Sequence, residues 1–255
     1  MRSMFLTSLI LALLLLASCG SAPRQETDAS GTAITTAAEA NAALGLGYLR
    51  KGNYAEALRK LKKALKQDPD SARAHHYIAE LYSRLGETDL ADKHFARALK
   101  LTPRDASLRN NYGVFLCTQQ RFSEAEEQFQ IAMRDPLYPG RAESYENAAL
   151  CALDAGEETK AENYFHAALK LNPRLPKSLF KLAEINFQKQ RYLPARAYLQ
   201  RYEAVAPAVA ETLWLGFRIE KAKGNEAAAA QYGRRLEQSY PDFAPWRRYQ
   251  EEGKL

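Results

Sequence analysis

The chain has 255 residues, a formal net charge of +6 at pH 7 and 46% hydrophobic residues. These proportions describe a folded body with a sizeable core and exclude a disordered tail, and the length fits either one elongated repeat array or two compact domains. The basic residues are scattered along amphipathic stretches instead of forming one run with interleaved aromatic residues, which argues against a dedicated nucleic-acid-binding protein.

The N-terminus has the features of a secretory signal. Arg2 supplies positive charge, and an apolar segment follows from Phe5 to Leu16. This segment matches the core of a signal peptide and is too short to span a membrane on its own. We therefore predict that residues 1–18 are a signal peptide.

A cysteine stands directly behind this segment. The run Leu16-Ala17-Ser18-Cys19 resembles the lipobox of bacterial lipoproteins. The resemblance implies a diacylglycerol on the Cys19 thiol, cleavage before Cys19 and acylation of the new amine. Two or more acyl chains anchor a protein stably, whereas one binds only marginally. An ordinary signal peptide with an unrelated cysteine is the alternative.

Gly20 bears on which membrane carries the anchor. In bacterial lipoproteins, an aspartate after the cysteine tends to retain the protein at the inner membrane, so Gly20 favours the outer membrane. Residues 20–37 are small, polar and without periodicity, so residues 19–37 are predicted to be the lipidated N-terminus and a flexible tether.

From residue 38 onward the chain repeats itself. Prolines recur at intervals of 34 residues, with one interval of 70, at Pro69, Pro103, Pro173, Pro207 and Pro241. Small or aromatic residues recur in register before each proline, and this pattern resembles the tetratricopeptide repeat (TPR). We predict an all-α, right-handed superhelix of six helix-turn-helix repeats. The predicted repeats are 38–71, 72–105, 106–141, 142–175, 176–209 and 210–243, followed by a C-terminal tail at 244–255.

The repeat pattern has a mechanical reason. Small residues at the eighth, twentieth and twenty-seventh positions let two helices approach closely, a residue near the fifteenth position makes the turn, and the proline ends the second helix. One helix pair cannot cover its own apolar face, so neighbouring pairs stack. The first helices then line a concave groove.

Two departures from the pattern accompany a more specific resemblance. Repeat three is two residues longer than the others, and Gly233 replaces an aromatic residue in the last repeat. Together with the segments at 44–54, 110–122, 135–150 and 191–199, these features resemble the type IV pilus biogenesis and stability lipoproteins called PilF or PilW. The resemblance covers the lipobox and all six repeats.

The resemblance implies a non-catalytic outer-membrane lipoprotein that faces the periplasm. Such pilotins bind PilQ-type secretin subunits and promote their outer-membrane localisation and multimerisation. We expect no cofactor, no metal and no nucleic-acid partner, and a chain that is monomeric on its own. An enzyme has almost no room beside the repeats. Another periplasmic TPR scaffold, serving exopolysaccharide export or outer-membrane protein assembly, stays open.

Repeat geometry suggests which residues bind the partner. The groove positions of repeat one are Glu39, Ala42, Leu46, Leu49 and Arg50. Three apolar residues on a face normally open to solvent predict a peptide-binding patch, unless the tether folds back over it.

The later repeats differ from repeat one. Repeats two and three have more polar groove positions and lack the lysine and asparagine clamp of chaperone-binding TPR proteins, so we do not expect a chaperone adaptor. Phe180, Phe187, Trp214 and Phe217 place aromatic bulk on the groove face. These four residues form either a second contact surface or filling for the narrowing superhelix.

Metal and disulfide chemistry have little support in the sequence. His76 and Glu80 share a helical face, but two ligands do not make a metal site, and no HExxH motif occurs. Cys117 and Cys151 lie on the first helices of consecutive repeats but at the twelfth and tenth positions. The periplasm would permit a disulfide between them, but we expect helix geometry to leave them apart.

Overall fold

The structure is a computed structural model that describes residues 36–253. This range forms thirteen α-helices and no strand. They are α1 (Ala37–Arg50), α2 (Tyr54–Gln67), α3 (Ala72–Leu85), α4 (Thr88–Leu101), α5 (Ala106–Thr118), α6 (Phe122–Arg134), α7 (Arg141–Asp154), α8 (Glu158–Leu171), α9 (Pro176–Gln188), α10 (Tyr192–Glu203), α11 (Ala210–Ala222), α12 (Glu226–Ser239) and α13 (Ala244–Glu251). The predicted signal peptide and Cys19 lie outside the described residues. No helix within 36–253 is long and apolar enough to cross a membrane.

The first twelve helices pack as six consecutive pairs. Each odd-numbered helix up to α11 contacts the helix that follows it most extensively, and each pair also contacts the next pair along the chain. The all-α TPR superhelix predicted from the 34-residue spacing is therefore confirmed.

The helix starts and turns follow from local sequence. Thr36 caps α1 through a capping box with Glu39, and Asn53, Ser71 and Asp105 cap later helices with their side chains. The fifteenth position of every repeat has a left-handed backbone, with φ between 56° and 77° at Gly52, Gly86, Gln120, Gly156, Gln190 and Gly224. Glycine adopts this conformation without strain, so four of the six turns use it.

Close contact between paired helices fixes the core. A β-carbon at Gly45 would lie 2.5 Å from Cγ of Leu61, because α1 and α2 touch there. At the equivalent place in repeat two, Ala79 and Ala91 are fully buried beside Phe95. Small residues at the eighth and twentieth positions thus make room for a large one at the twenty-fourth.

The C-terminal tail predicted at 244–255 requires a correction. Residues Ala244–Glu251 form helix α13, and its Trp246 is buried beneath the last repeat. A β-carbon at Gly233 would lie 2.8 Å from the Trp246 ring. The glycine that replaces an aromatic residue in repeat six therefore leaves space for an aromatic ring supplied by the next helix.

Candidate protein-binding site

The polar residues of repeats two and three in the groove bind each other. Nε2 of His76 lies 3.0 Å from Oε1 of Glu80, and the Asn111 amide donates to the same oxygen at 2.5 Å. Burial opposes ionisation of Glu80, but the hydrogen bonds from His76 and Asn111 outweigh it and lower the pKa of the carboxyl group. These contacts join α3 to α5.

The same arrangement continues into repeats four and five. Ser144 Oγ donates to Asn110 Oδ1 at 3.0 Å, which links α5 to α7. The backbone N–H and hydroxyl of Ser178 both donate to Glu146 Oε2, which links α7 to α9. These buried polar groups of the central groove thus form hydrogen bonds between neighbouring repeats. Within residues 36–253, no group of three or more His, Cys, Asp or Glu side chains is placed to hold a metal ion.

The expectation that Cys117 and Cys151 lie apart is wrong. A disulfide joins them, with their Cα atoms 5.7 Å apart, within the range that a disulfide requires. The first helices of consecutive repeats are offset, so the twelfth position of α5 faces the tenth position of α7. The covalent link spans the junction at which repeat three is two residues longer.

The same offset removes two residues from the patch predicted in repeat one. Leu49, also at a twelfth position, is fully buried in a cluster with Leu81, the tenth residue of the next repeat. Ala42, at a fifth position, is fully buried with Ala74. Neither side chain can contact a partner in the folded chain, so the prediction that they are open to the groove is wrong.

The remaining residues of α1 offer a smaller surface. Leu46 is partly buried against the core of repeat one, and Arg50 is exposed. The large apolar side chain that α1 exposes is Leu44, which is 49% exposed. It lies at the open end of the described array, where a preceding repeat would otherwise cover it.

The four aromatic residues predicted in repeats five and six have different positions. Phe217 is buried, with its ring centroid 5.2 Å from Trp246 and 4.9 Å from Tyr249, so it fills the core. It occupies the eighth position, where α11 meets α13. Phe180 is partly buried against Tyr202, with ring centroids 6.0 Å apart. Phe217 is therefore not a contact surface, whereas the Phe180 ring keeps part of its surface exposed.

Phe187 and Trp214 do share an open cleft. It has a volume of about 160 Å³ between α9 and α11, and Arg218 and Phe243 also line it. The Arg218 guanidinium lies 4.4 Å from the Phe187 ring centroid and 6.0 Å from the Trp214 ring centroid.

Arg218 has no carboxylate partner among residues 36–253. Of the two glutamates that line the cleft, Glu184 binds Lys181 at 2.8 Å, and Glu211 forms no ion pair within the described chain. An exposed guanidinium held against two rings can donate to a partner carboxylate while the rings contact apolar side chains. Tryptophan and arginine are also the residue types that dominate protein interfaces energetically.

The sequence pattern did not predict Arg218 and Phe243 as residues of this cleft. Arg218 stands four residues after Trp214, so helical spacing could have placed both on one face. Phe243 reaches the cleft only because α13 folds back onto the last repeat, which the repeat pattern did not predict.

Family models and known proteins match this architecture. The TPR repeat model matches residues 45–86, and the tetratricopeptide repeat model matches residues 78–142 and 147–210. The chain is 36% identical to the type IV pilus assembly protein PilF of Pseudomonas aeruginosa over 209 residues, which are 82% of this chain and 83% of the relative.

Two solved structures are similar over nearly their full lengths. The Pseudomonas aeruginosa PilF structure matches with a TM-score of 0.78 and 36% identity, covering 85% of this chain and 97% of that one. The structure of PilW, described as a widely conserved type IV pilus biogenesis factor, matches with a TM-score of 0.73 and 31% identity, covering 82% and 96%.

Proposed function

This chain belongs to the family of the type IV pilus assembly protein PilF, and we propose that it is a pilotin anchored in the outer membrane. It binds secretin subunits and promotes their localisation and multimerisation. The observation that carries the proposal is the continuous similarity to PilF and PilW across the repeat array, including the similar folds.

The protein acts by binding and not by catalysis. The buried polar side chains in the central groove are engaged with each other, as in the Glu146–Ser178 pair. The cleft lined by Phe187, Trp214 and Arg218 instead offers two aromatic faces and one guanidinium that has no ion-pair partner in the described range 36–253. A secretin segment that combines an apolar side chain with a carboxylate, from an acidic residue or the chain terminus, fits this cleft.

In the proposed function, the lipid on Cys19 determines where the protein is held in the cell. In this proposal the acylated N-terminus holds the repeat array at the periplasmic face of the outer membrane, so that each bound secretin subunit is delivered to the bilayer in which the ring assembles. Replacing Cys19 with Ser removes the thiol that carries the lipid.

The test uses cells that lack the native chain and express either the parent or the Cys19→Ser variant. The parent is expected to fractionate with the outer membrane and restore SDS-resistant secretin multimers, whereas Cys19→Ser leaves that fraction and restores few. Outer-membrane fractionation of Cys19→Ser would contradict the anchor. A multimer-to-monomer ratio that does not depend on the chain at all would contradict the pilotin role and favour a scaffold for another export system.

A further inference from the structure

Helix α2 concentrates positive charge that the rest of the described chain leaves unpaired. It carries Arg59, Lys60, Lys62, Lys63 and Lys66 against a single acidic residue, Glu56. Glu56 binds Arg59 at 2.6 Å, and none of the four lysines forms an ion pair within residues 36–253. Lys62, Lys63 and Lys66 are exposed, and Lys60 is partly exposed. The outer face of α2 therefore presents a cluster of free ammonium groups.

The fold does not require this cluster, because the second helices α6 and α8 carry no such excess of positive charge. Helix α6 has three glutamates and one arginine, and α8 has two glutamates and two lysines. Lys160 of α8 binds Glu126 at 2.8 Å and Glu157 at 2.5 Å. Lys189 binds Glu162 at 2.7 Å. Several lysines of later repeats thus bind carboxylates, whereas none of the four lysines of α2 does so within residues 36–253.

The positive surface continues beyond the end of α2. An open cleft of about 570 Å³ follows at Pro69, and Lys93, Arg97 and Lys100 of α4 line it. Asp70, the one acidic residue in its wall, is bound by Arg97. Basic side chains therefore extend over the outer surface of the first two repeats.

Repeat one is also the repeat nearest to the predicted lipid. The proposed function places acyl chains on Cys19, and the flexible tether predicted from composition at residues 20–37 follows it in the sequence. A flexible segment of this length spans about 20–25 Å on average. The anchor would thus keep α2 within a short distance of the bilayer surface.

We propose that the outer face of α2 docks on anionic phospholipid headgroups of the membrane that holds the anchor. This inference rests on the lipidation included in the proposed function. Each lysine that reaches an anionic surface strengthens association by about fivefold at moderate ionic strength. Docking of repeat one leaves the cleft at Phe187 and Trp214, at the other end of the array, open to a partner.

The experiment measures which lysines the bilayer protects. The purified lipidated chain is reconstituted on vesicles of phosphatidylcholine alone or of phosphatidylcholine with phosphatidylglycerol, and exposed amines are acetylated and quantified by mass spectrometry. Labelling of Lys60, Lys62, Lys63 and Lys66 is expected to fall several-fold on the anionic vesicles only. Labelling of the exposed Lys170 and Lys177 should stay constant. The protection should disappear at about 0.5 M NaCl, where the Debye length is about 4 Å.

Two charge-reversed variants separate the α2 face from general charge effects. Lys62→Glu with Lys63→Glu should return the labelling of Lys60 and Lys66 on anionic vesicles to its value on phosphatidylcholine. The matched control, Lys170→Glu with Lys177→Glu, changes net charge equally and should keep the α2 lysines protected.

Three results would overturn the proposal. They are equal labelling of the α2 lysines on both vesicle types, loss of protection in the control variant, or protection by a soluble polyanion such as heparin but not by anionic vesicles. Flotation with phosphatidylcholine vesicles reports the lipid anchor separately, so a failed anchor is distinguishable from a failed docking face.

Discussion

Replacing Leu49 with alanine tests the offset between consecutive first helices. Leu49 is fully buried among Leu61, Ile78 and Leu81, whereas Leu44 on the same helix is 49% exposed. A buried leucine truncated to alanine costs about 2–5 kcal/mol, because the transfer free energy and a cavity term add. We expect about 3 kcal/mol for Leu49→Ala and at most about 1 kcal/mol for the matched control Leu44→Ala.

Thermal unfolding monitored by circular dichroism distinguishes the two variants. For a body of this size, each kcal/mol lowers Tm by about 2–4 °C, so Leu49→Ala should melt roughly 6–12 °C below the parent and Leu44→Ala no more than about 4 °C below it. In Leu49→Ala, the amides of α1 and α2 should lose protection from hydrogen exchange before those of other helices, because stability in a repeat array is largely local. If the two variants melt together, Leu49 is not part of the core and the inferred offset is wrong.

Three further predictions test the packing and the protonation of the array. Replacing both Cys117 and Cys151 with alanine removes a disulfide between residues that lie 34 apart in sequence. Because the unfolded chain then gains conformational entropy, the free energy of unfolding should fall by about 3–4 kcal/mol. A denaturant titration equal to that of the parent would contradict a structural disulfide. Replacing the fully buried Ala91 with leucine should overpack α3 against α4 and cost about 1–3 kcal/mol, whereas the same change at the exposed Ala96 should be nearly neutral in the same titration. Burial, with a smaller contribution from the charge of His75, lowers the pKa of His94 from its ordinary value of 6.5 to about 4. The unfolded chain therefore binds more protons between these values, and stability should fall as pH drops from about 6.5 to about 4. In His94→Gln this part of the pH dependence of Tm should be absent, and an unchanged pH profile would contradict the assignment.

The 34-residue spacing predicted the helix pairs well because close approach of two helices demands small residues at fixed positions. Ala79 and Ala91 are such residues, and both are fully buried. The left-handed turns at Gly86 and Gly156 likewise follow from glycine's freedom at positive φ. These features are local to one repeat, so the sequence pattern carries them directly.

The errors concern contacts between repeats. Each first helix is partly covered by the neighbouring repeat, and groove positions counted along one helix do not include that neighbour. The offset that brings the twelfth position of one first helix to the tenth of the next explains the burial of Leu49 and the Cys117–Cys151 disulfide alike. The pattern of a single repeat does not contain this offset, because the offset is a property of the stacking between repeats.

The C-terminal end shows a related limit. Gly233 breaks the repeat pattern because Trp246 of α13 fills its place, and the same helix brings Phe243 to the cleft. A repeat pattern describes only what recurs, so an element that occurs once at the end of the array falls outside it. The Phe187, Trp214 and Arg218 cleft could therefore be predicted only in part.

The central claim is that secretin subunits bind at this cleft. Its most direct test is the Kd between the purified full-length chain and purified secretin subunits, measured for the parent, Trp214→Ala and the control Leu44→Ala. Removing a central aromatic contact should raise Kd at least about tenfold, while Leu44→Ala should leave it unchanged. A parent that binds secretin subunits with the same Kd as Trp214→Ala, or a loss of affinity confined to Leu44→Ala, would contradict the account.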